Sequence, residues 1–429
     1  MSAPFRIGVA GLGTVGTGVL RLVEAQAELL AARCGRSLSV VAVSDLDRTR
    51  DRGVDLTGVE WYDAVALARE APVDVVVELI GGEDGIAKAV AEAAIAAGKA
   101  VVTANKALLA RHGVALARAA EAADVPLAFE AAVAGGIPIL KALREGLAGN
   151  RIDRIYGILN GTCNFILSSM ETTGRDFDEV LAEAQALGYA EADPGFDIDG
   201  VDAAHKLALL AALAFGCTVD FEAVHVEGVR HVAAEDIGYA AELGYRVKLL
   251  GIARLTEHGL EQRVHPCLVA ADTPIARVDG VFNAVVAEGD FVGRTIYEGR
   301  GAGAGPTASA VVADIADIAC GRRAPAFGVP AEALAPIAAA PMERHRGPYF
   351  VRLVVVDRPG VLAEIAGVLR DERVSIESLL QRSRSPDEPV PVIMITHEAE
   401  EAAMMRALEA FAGLESVLEP PTMIRIEDL

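Results

Sequence analysis

Arg6-Ile7-Gly8-Val9-Ala10 runs directly into Gly11-Leu12-Gly13-Thr14-Val15-Gly16, and this stretch decides the fold of the N-terminal third. Arg6–Ala10 reads as a buried strand, and Thr14–Leu30 reads as a helix. The three glycines between them suit three separate tasks. The first permits a tight turn, the second lets backbone approach a pyrophosphate, and the third lets the helix pack on the strand. The helix N-terminus then faces the anion. Gly11, Leu12, Gly13, Thr14, Val15 and Gly16 are therefore candidate ligands of a dinucleotide.

The surrounding sequence continues the pattern. Leu38–Val43, Val73–Leu79 and Ala100–Thr103 are short apolar strands, and Ile86–Ala97 is a helix closed by Gly98. Apolar strands alternating with helices imply a parallel sheet covered on both faces, an α/β, doubly wound, Rossmann-type domain. The second strand leads into Ser44-Asp45. Asp45 suits the free 2′-hydroxyl of NAD, whereas Arg48 and Arg50 suit the 2′-phosphate of NADP. Both cofactors stay open.

From about Gly135 the pattern changes. Arg151–Leu159 reads as a strand, Phe177–Leu187 and Asp199–Phe215 as helices, and the sequence to about Gly305 as mixed and less regular. Thr307–Ala319 is an alanine-rich amphipathic helix. Residues Arg322 to Gly347, with Pro325, Pro330, Pro336 and Pro341, look like a linker. Tyr349–Val356, Gly360–Arg370, Ser375–Leu380, Val390–Thr396, Glu400–Gly413 and Thr422–Ile426 then read as βαββαβ.

Composition narrows the function. At 429 residues, 52% hydrophobic and 23% charged, the chain is globular and long enough for two or three domains. A net charge of −22 disfavours nucleic acid, whose phosphates need clustered Lys and Arg. No apolar run is long enough for a membrane span. Met-Ser-Ala-Pro-Phe-Arg-Ile-Gly reads as leading straight into a strand, without the apolar h-region of a signal peptide. Cys34, Cys163, Cys217, Cys267 and Cys320 are scattered and odd in number. They read as reduced thiols, and the expectation is a cytoplasmic protein.

The chemistry concentrates in Glu191-Ala-Asp-Pro-Gly-Phe-Asp-Ile-Asp-Gly-Val-Asp202, which holds five carboxylates and is followed one helical turn later by Lys206. A calcium loop would need a glutamate at the twelfth ligand position, where this sequence places Lys206. Asp202 and Lys206 as a plain surface pair would contribute only about 0.3–0.5 kcal/mol. Several acids around one ammonium fit a pocket for a small cationic substrate with a proton donor inside it. His205 reads as helix surface or packing, and Cys163 as a buried thiol at a helix start. Lys106 follows the strand Ala100–Thr103 on the ligand-binding edge of the sheet, as a surface lysine or a substrate contact. Phe129 to Pro138 reads as a domain junction or as a turn whose carbonyls ligate a hard cation.

These segments, in this order, resemble homoserine dehydrogenase over roughly residues 5–320. The resemblance rests on Gly-Leu-Gly-Thr-Val-Gly, Val-Thr-Ala-Asn-Lys, Phe-Glu-Ala-Ala-Val-Ala-Gly-Gly-Ile-Pro, Asn-Gly-Thr-Cys-Asn-Phe-Ile-Leu, the Gly188–Lys206 signature and Arg300-Gly-Ala-Gly-Ala-Gly-Pro. The C-terminal segment, with Asp357-Arg-Pro-Gly360, resembles an ACT domain. The resemblance implies interconversion of aspartate 4-semialdehyde and homoserine with NADP or NAD, on the way to threonine, methionine and isoleucine. It implies Lys206 as general acid, Glu191, Asp197, Asp202 and Lys106 at the substrate, and Lys106, Gly188 and Gly303 beside the cofactor. It also implies a sodium ion at Glu130, Val133, Gly135 and Ile137, and a homodimer or homotetramer. An amino-acid effector, threonine first among candidates, would bind the ACT domain. Ser44 stands where many relatives carry an arginine, which weakens an NADP preference.

The expected domains are 1–135 for the dinucleotide, 136–322 for catalysis and dimerisation, 323–347 as linker and 348–429 as ACT domain. Helix 307–319 is expected to pack back on the first domain, and a chain cut before Tyr349 to keep its chemistry. Two other functions compete. A non-catalytic amino-acid sensor predicts decay of the acid–lysine cluster, which is intact. Aspartate-semialdehyde dehydrogenase needs a cysteine nucleophile beside a base, and no cysteine here has that setting.

Overall fold

The computed structural model describes residues 3–381 and 389–429. Its first layer is a six-stranded parallel sheet built from β1 (Phe5–Ala10), β2 (Leu38–Ser44), β3 (Glu60–Trp61), β4 (Val75–Glu78), β5 (Ala100–Thr103) and β6 (Leu127–Ala128). The order is β3-β2-β1-β4-β5-β6, so the chain reverses direction across the sheet between β1 and β4. That reversal opens a crevice at the carboxyl ends of the strands, where such sheets bind ligands. Val75, Val76 and Val77 are fully buried, as strands covered on both faces require.

Five helices cover this sheet: α1 (Thr14–Ala25), α2 (Ala27–Cys34), α3 (Ala64–Glu70), α4 (Ile86–Ala96) and α5 (Lys106–Ala122). The single helix expected over Thr14–Leu30 is thus two, broken at Gln26 (φ −113°, ψ 22°). The break turns Leu30 into a core that also holds Val19, Val23, Val311 and Ile315.

The short helix α6 (Ile139–Lys141) leads into β7 (Ile152–Ile158), then α7 (Gly161–Thr173), α8 (Phe177–Ala186), α9 (Gly195–Ile198) and α10 (Val201–Phe215). After β8 (His225–Val226) and α11 (Ala234–Glu242) come β9 (Tyr245–Thr256), β10 (Gly259–Ala270), β11 (Phe282–Gly289) and β12 (Gly293–Arg300). The stretch read as irregular therefore contains four strands of eight to twelve residues. β10 is buried at ten consecutive positions, charged ones included, so the alternation that betrays a half-buried strand is missing. Helix α12 (Ala304–Ala319) lies on α1, and its Ala308, Val311 and Ile315 share a core with Ile7 and Val9. Gly18 makes this approach possible, because an added Cβ would lie 2.7 Å from the Ala304 carbonyl oxygen.

The C-terminal part comprises β13 (Arg346–Gly347), β14 (Tyr349–Val356), α13 (Val361–Asp371), β15 (Ile376–Leu380), β16 (Pro389–Thr396), β17 (Ala399–Glu400), α14 (Glu401–Ala412) and β18 (Thr422–Glu427). Its sheet does not stand apart. β18 pairs in parallel with β10, joining both regions into one sheet of order β12-β11-β7-β9-β10-β18-β14-β16-β15, with β8 beside β10. Buried ion pairs cross the seam: Arg263 with Glu427, Arg425 with Glu227 (2.8 Å), and Arg352 with Asp236 (2.5 Å).

The proline-rich stretch before it is not a loose tether. Ala326, Phe327, Ala331 and Leu334 are buried, and the Phe327 ring lies 5.2 Å from that of Phe129. Ala335 and Ala339 bridge to Cys217 and Leu260. Proline suits such an extended edge segment because it has no N–H to leave unpaired, while the apolar residues between the prolines supply the packing. A cut before Tyr349, expected to keep the chemistry, would break the β10–β18 pairing and the ion pairs Arg263–Glu427 and Arg352–Asp236.

Candidate active site

The crevice at the sheet's carboxyl edge is a cleft of about 590 Å³, walled by both the nucleotide-binding and the catalytic regions. Val15 of the glycine turn stands on one side and the acidic segment on the other. Gly11 adopts φ +102°, and a Cβ there would lie 2.5 Å from the Leu79 carbonyl oxygen. A Cβ on Gly16 would lie 2.0 Å from the Gly11 carbonyl oxygen, so the turn admits glycine alone at both. Gly13 differs: a Cβ there would meet no heavy atom within 4 Å. The position is open to a ligand, and no side chain caps the start of α1. This fits a pyrophosphate at the helix N-terminus.

Asp45 supports this turn from β2, accepting the Leu12 amide at 2.7 Å and facing Arg52 at 3.1 Å. Burial opposes its ionisation, yet the Leu12 and Asp47 amides and Arg52 hold it below the usual carboxylate range. Arg48 is half exposed, paired with Asp63 and 6.0 Å from the centre of the Trp61 ring.

Lys206 and Asp202 lie one turn apart on α10, a helix buried without interruption from Asp202 to Leu213. This is no surface pair. Lys206 Nζ donates to Asp202 Oδ2 and to the Leu159 carbonyl, each at 2.7 Å. Lys106, the first residue of α5, reaches Asp202 Oδ1 at 3.1 Å. Burial would raise the Asp202 carboxyl, but Lys206 and then Lys106 hold it well below its usual range. Asp202 is thus a carboxylate shared by two ammonium groups.

Asn160 is the residue that sequence reasoning missed. Its Oδ1 caps α7 by accepting the Cys163 amide at 2.8 Å. Its Nδ2 donates to Asp197 at 2.8 Å and to Asp202 at 2.9 Å. Thr162 also donates to Asp197, at 3.1 Å. Burial, then the Asp202 charge, raises the Asp197 carboxyl above its ordinary value. The signal lies in Asn160-Gly-Thr-Cys163, an asparagine just ahead of a helix start and of a thiol. Cys163 is buried, and burial pushes its thiol well up, so it is unsuited to nucleophilic work.

The five acids separate by role. Glu191, Asp197 and Asp202 line the cleft, Glu191 at its exposed mouth. Asp199 turns away to Arg230, and Asp193 accepts the Gly195 amide. Gly188 (φ +75°) and Gly303 (φ +116°) complete the cleft wall in conformations that favour glycine. His205 is buried between the Phe196 and Phe221 rings, 5.6 Å and 4.1 Å away, and Lys106 sits 5.5 Å from the Phe196 ring centre.

At the junction, Glu130 spends its carboxylate on the Leu140 and Lys141 amides, at 2.9 and 2.8 Å. Its carbonyl and that of Ile137 accept the Val133 and Ile139 amides. Among the described residues, the Val133 and Gly135 carbonyls accept no hydrogen bond. Free carbonyl oxygens at a turn are a donor type that suits a hard cation.

Models of the homoserine dehydrogenase NAD-binding domain, of homoserine dehydrogenase and of the ACT domain match residues 11–130, 138–316 and 349–413. A homoserine dehydrogenase of Neisseria gonorrhoeae is 47% identical over 432 residues, covering 99% of each chain. The crystal structure of a homoserine dehydrogenase from Thiobacillus denitrificans superposes with a TM-score of 0.93 at 46% identity, covering 99% of this chain and 98% of that one. A hyperthermophilic archaeal homoserine dehydrogenase in complex with NADPH matches 73% of this chain and 97% of its own, at 28% identity and a TM-score of 0.62. With glycine turn, acid–lysine cleft and ACT region present along its whole length, the chain belongs to the homoserine dehydrogenase family, NAD(P)-binding oxidoreductases.

Proposed function

We propose that the protein interconverts L-aspartate 4-semialdehyde and L-homoserine in the synthesis of threonine, methionine and isoleucine, with Lys206 as proton donor. The observation that carries this reading is the ammonium of Lys206, fixed by Asp202 and the Leu159 carbonyl inside the cleft that faces the glycine turn. When bound, the nicotinamide cofactor supplies or accepts the hydride. Lys206 stabilises the alkoxide developing on the substrate oxygen and then protonates it. In the reverse direction it takes the hydroxyl proton. Asp202, engaged by both lysines, orients them, while Asp197 and Glu191 remain to receive the substrate's α-ammonium. Gly188 and Gly303 let the cofactor approach backbone. A sodium ion, where bound, would sit on the carbonyls of Glu130, Val133, Gly135 and Ile137 as a structural element. Nicotinamide absorbance followed with homoserine, under NAD and NADP in turn, tests the reading. Reduction of either cofactor is expected, and no reduction of either by folded protein would overturn it.

Asp202→Asn removes the charge both lysines share. It is expected to raise KM for homoserine and, because Lys206 loses its anchor, to lower kcat as well. Steady-state kinetics showing both constants unchanged would remove Asp202 from the site.

Cofactor choice turns on Arg48 and Arg50. If they meet the 2′-phosphate, replacing both with alanine weakens NADP by about 1.5–3 kcal/mol per lost contact and leaves NAD nearly untouched. Equal losses in titrations with both cofactors would return these arginines to the surface.

The ACT region carries a cavity of about 570 Å³ lined by residues 355–363 with Gln381 and Val392. Asp357 lines it and has a buried Oδ2 with no hydrogen-bond partner among the described residues, which suits an amino group. An amino acid, with threonine tested first, is the effector proposed for this cavity. Among the described residues β12 and β15 stand at the two edges of this sheet, and β15, the edge within the ACT region, is the strand proposed for pairing between subunits. A dimer or tetramer is the proposed assembly.

A further inference from the structure

Two of the five cysteines meet far from the chemistry. Cys34 ends α2 of the nucleotide-binding domain, and Cys320 follows α12 as its C-cap. Their sulfurs reach across reciprocally. Cys34 Sγ lies 3.8 Å from the Ala316 carbonyl, one turn before Cys320, and Cys320 Sγ lies 3.6 Å from the carbonyl of Arg33, next to Cys34. Each sulfur therefore lies against the backbone next to or one turn from the other cysteine. Cys320 is exposed and Cys34 partly so, whereas Cys163, Cys217 and Cys267 are buried and apart. Small oxidants therefore have access to this pair and to no other cysteine.

We propose that Cys34 and Cys320 form a reversible disulfide that clamps α12 to α2. The oxidant is a small-molecule disulfide. Burial and the adjoining Cys320 thiol push Cys34 up to about 11, so the exposed Cys320 makes the first attack. Its thiolate displaces one thiol of the small disulfide and becomes a mixed disulfide. Cys34, giving up its proton, then attacks the Cys320 sulfur and expels the second thiol. Two protein thiols are oxidised to one disulfide, one small disulfide is reduced to two thiols, and the protons leave with them. The clamp acts on a helix whose other end reaches the cleft. Gly303 caps α12 there and Thr307 lines the wall, while the sixteen residues of α12 span about 24 Å. Oxidation thus ties the last helix of the catalytic region to the nucleotide-binding domain at the end remote from the reaction.

The test uses the full-length protein in a buffer rich in oxidised glutathione, quenched by alkylation and read by peptide mass spectrometry. The expected product is one chain with Cys34 and Cys320 peptides joined, released by dithiothreitol, and with the three buried cysteines unmodified. Cys34→Ser should leave Cys320 as a glutathione adduct, and Cys320→Ser should leave Cys34 largely unmodified. The joined form should unfold at least about 2 °C higher, a shift absent from Cys34→Ser. A persistent glutathione adduct on wild-type Cys320, or a link between Cys320 residues of two copies, would overturn the proposal. A joined form with unchanged unfolding temperature would overturn the clamp.

Discussion

Replacing Lys206 with alanine is expected to lower kcat by about two to four orders of magnitude, with KM for homoserine nearly kept. The lysine acts on charge that develops in the transition state, so its loss falls on kcat. The fold should survive the change. Asp202, deprived of Lys206, still has Lys106 at 3.1 Å and Asn160 at 2.9 Å, so no buried carboxylate is abandoned. Steady-state kinetics on a variant with an unchanged circular dichroism spectrum would measure it. A variant keeping a third or more of wild-type kcat would remove Lys206 from the proton transfer.

The second large effect lies at the seam between the catalytic and ACT regions. A chain ending at Arg346 is expected to lose at least about 3–5 kcal/mol of stability, the usual cost of breaking a buried ion pair by deleting one partner. Arg263 is 1% exposed and would lose Glu427, keeping Glu261 as its one carboxylate among the described residues, with His265 beside it. Asp236, whose side chain is fully buried, would lose Arg352. β10 would lose its pairing with β18, leaving an open edge inside the molecule. Such a loss is a large share of a typical domain's total stability. Thermal unfolding and the soluble fraction measure it. A truncated chain that stays soluble and unfolds at the wild-type temperature would show that the seam contributes little.

Legibility in the sequence followed from how local each signal was. The glycine turn could be read because strand, turn and helix are adjacent, and each glycine has its own steric reason. The Gly188–Lys206 stretch could be read because charge density is visible without knowing the fold. What it could not show was which acids face inward, because Asp199 turns to Arg230 through a contact 31 residues away. Asn160 was hidden for a similar reason. It reads as an ordinary helix cap, and its contacts with Asp197 and Asp202 are tertiary. The β10–β18 pairing joins Cys267 to Arg425, and no periodicity records so distant a partner. The proline-rich stretch misled because composition registers its lack of regular structure and not the apolar residues it buries.

In the proposed reaction the acids of the cleft read the α-ammonium of homoserine while Lys206 handles its hydroxyl. Comparing homoserine with 4-hydroxybutyrate, which lacks only the amino group, tests both halves in one assay of nicotinamide absorbance. A buried site built to hydrogen-bond a substrate group rejects the analogue lacking it by about four orders of magnitude. The expected kcat/KM for homoserine is higher by about that factor, and comparable turnover of the two alcohols would contradict this division of roles.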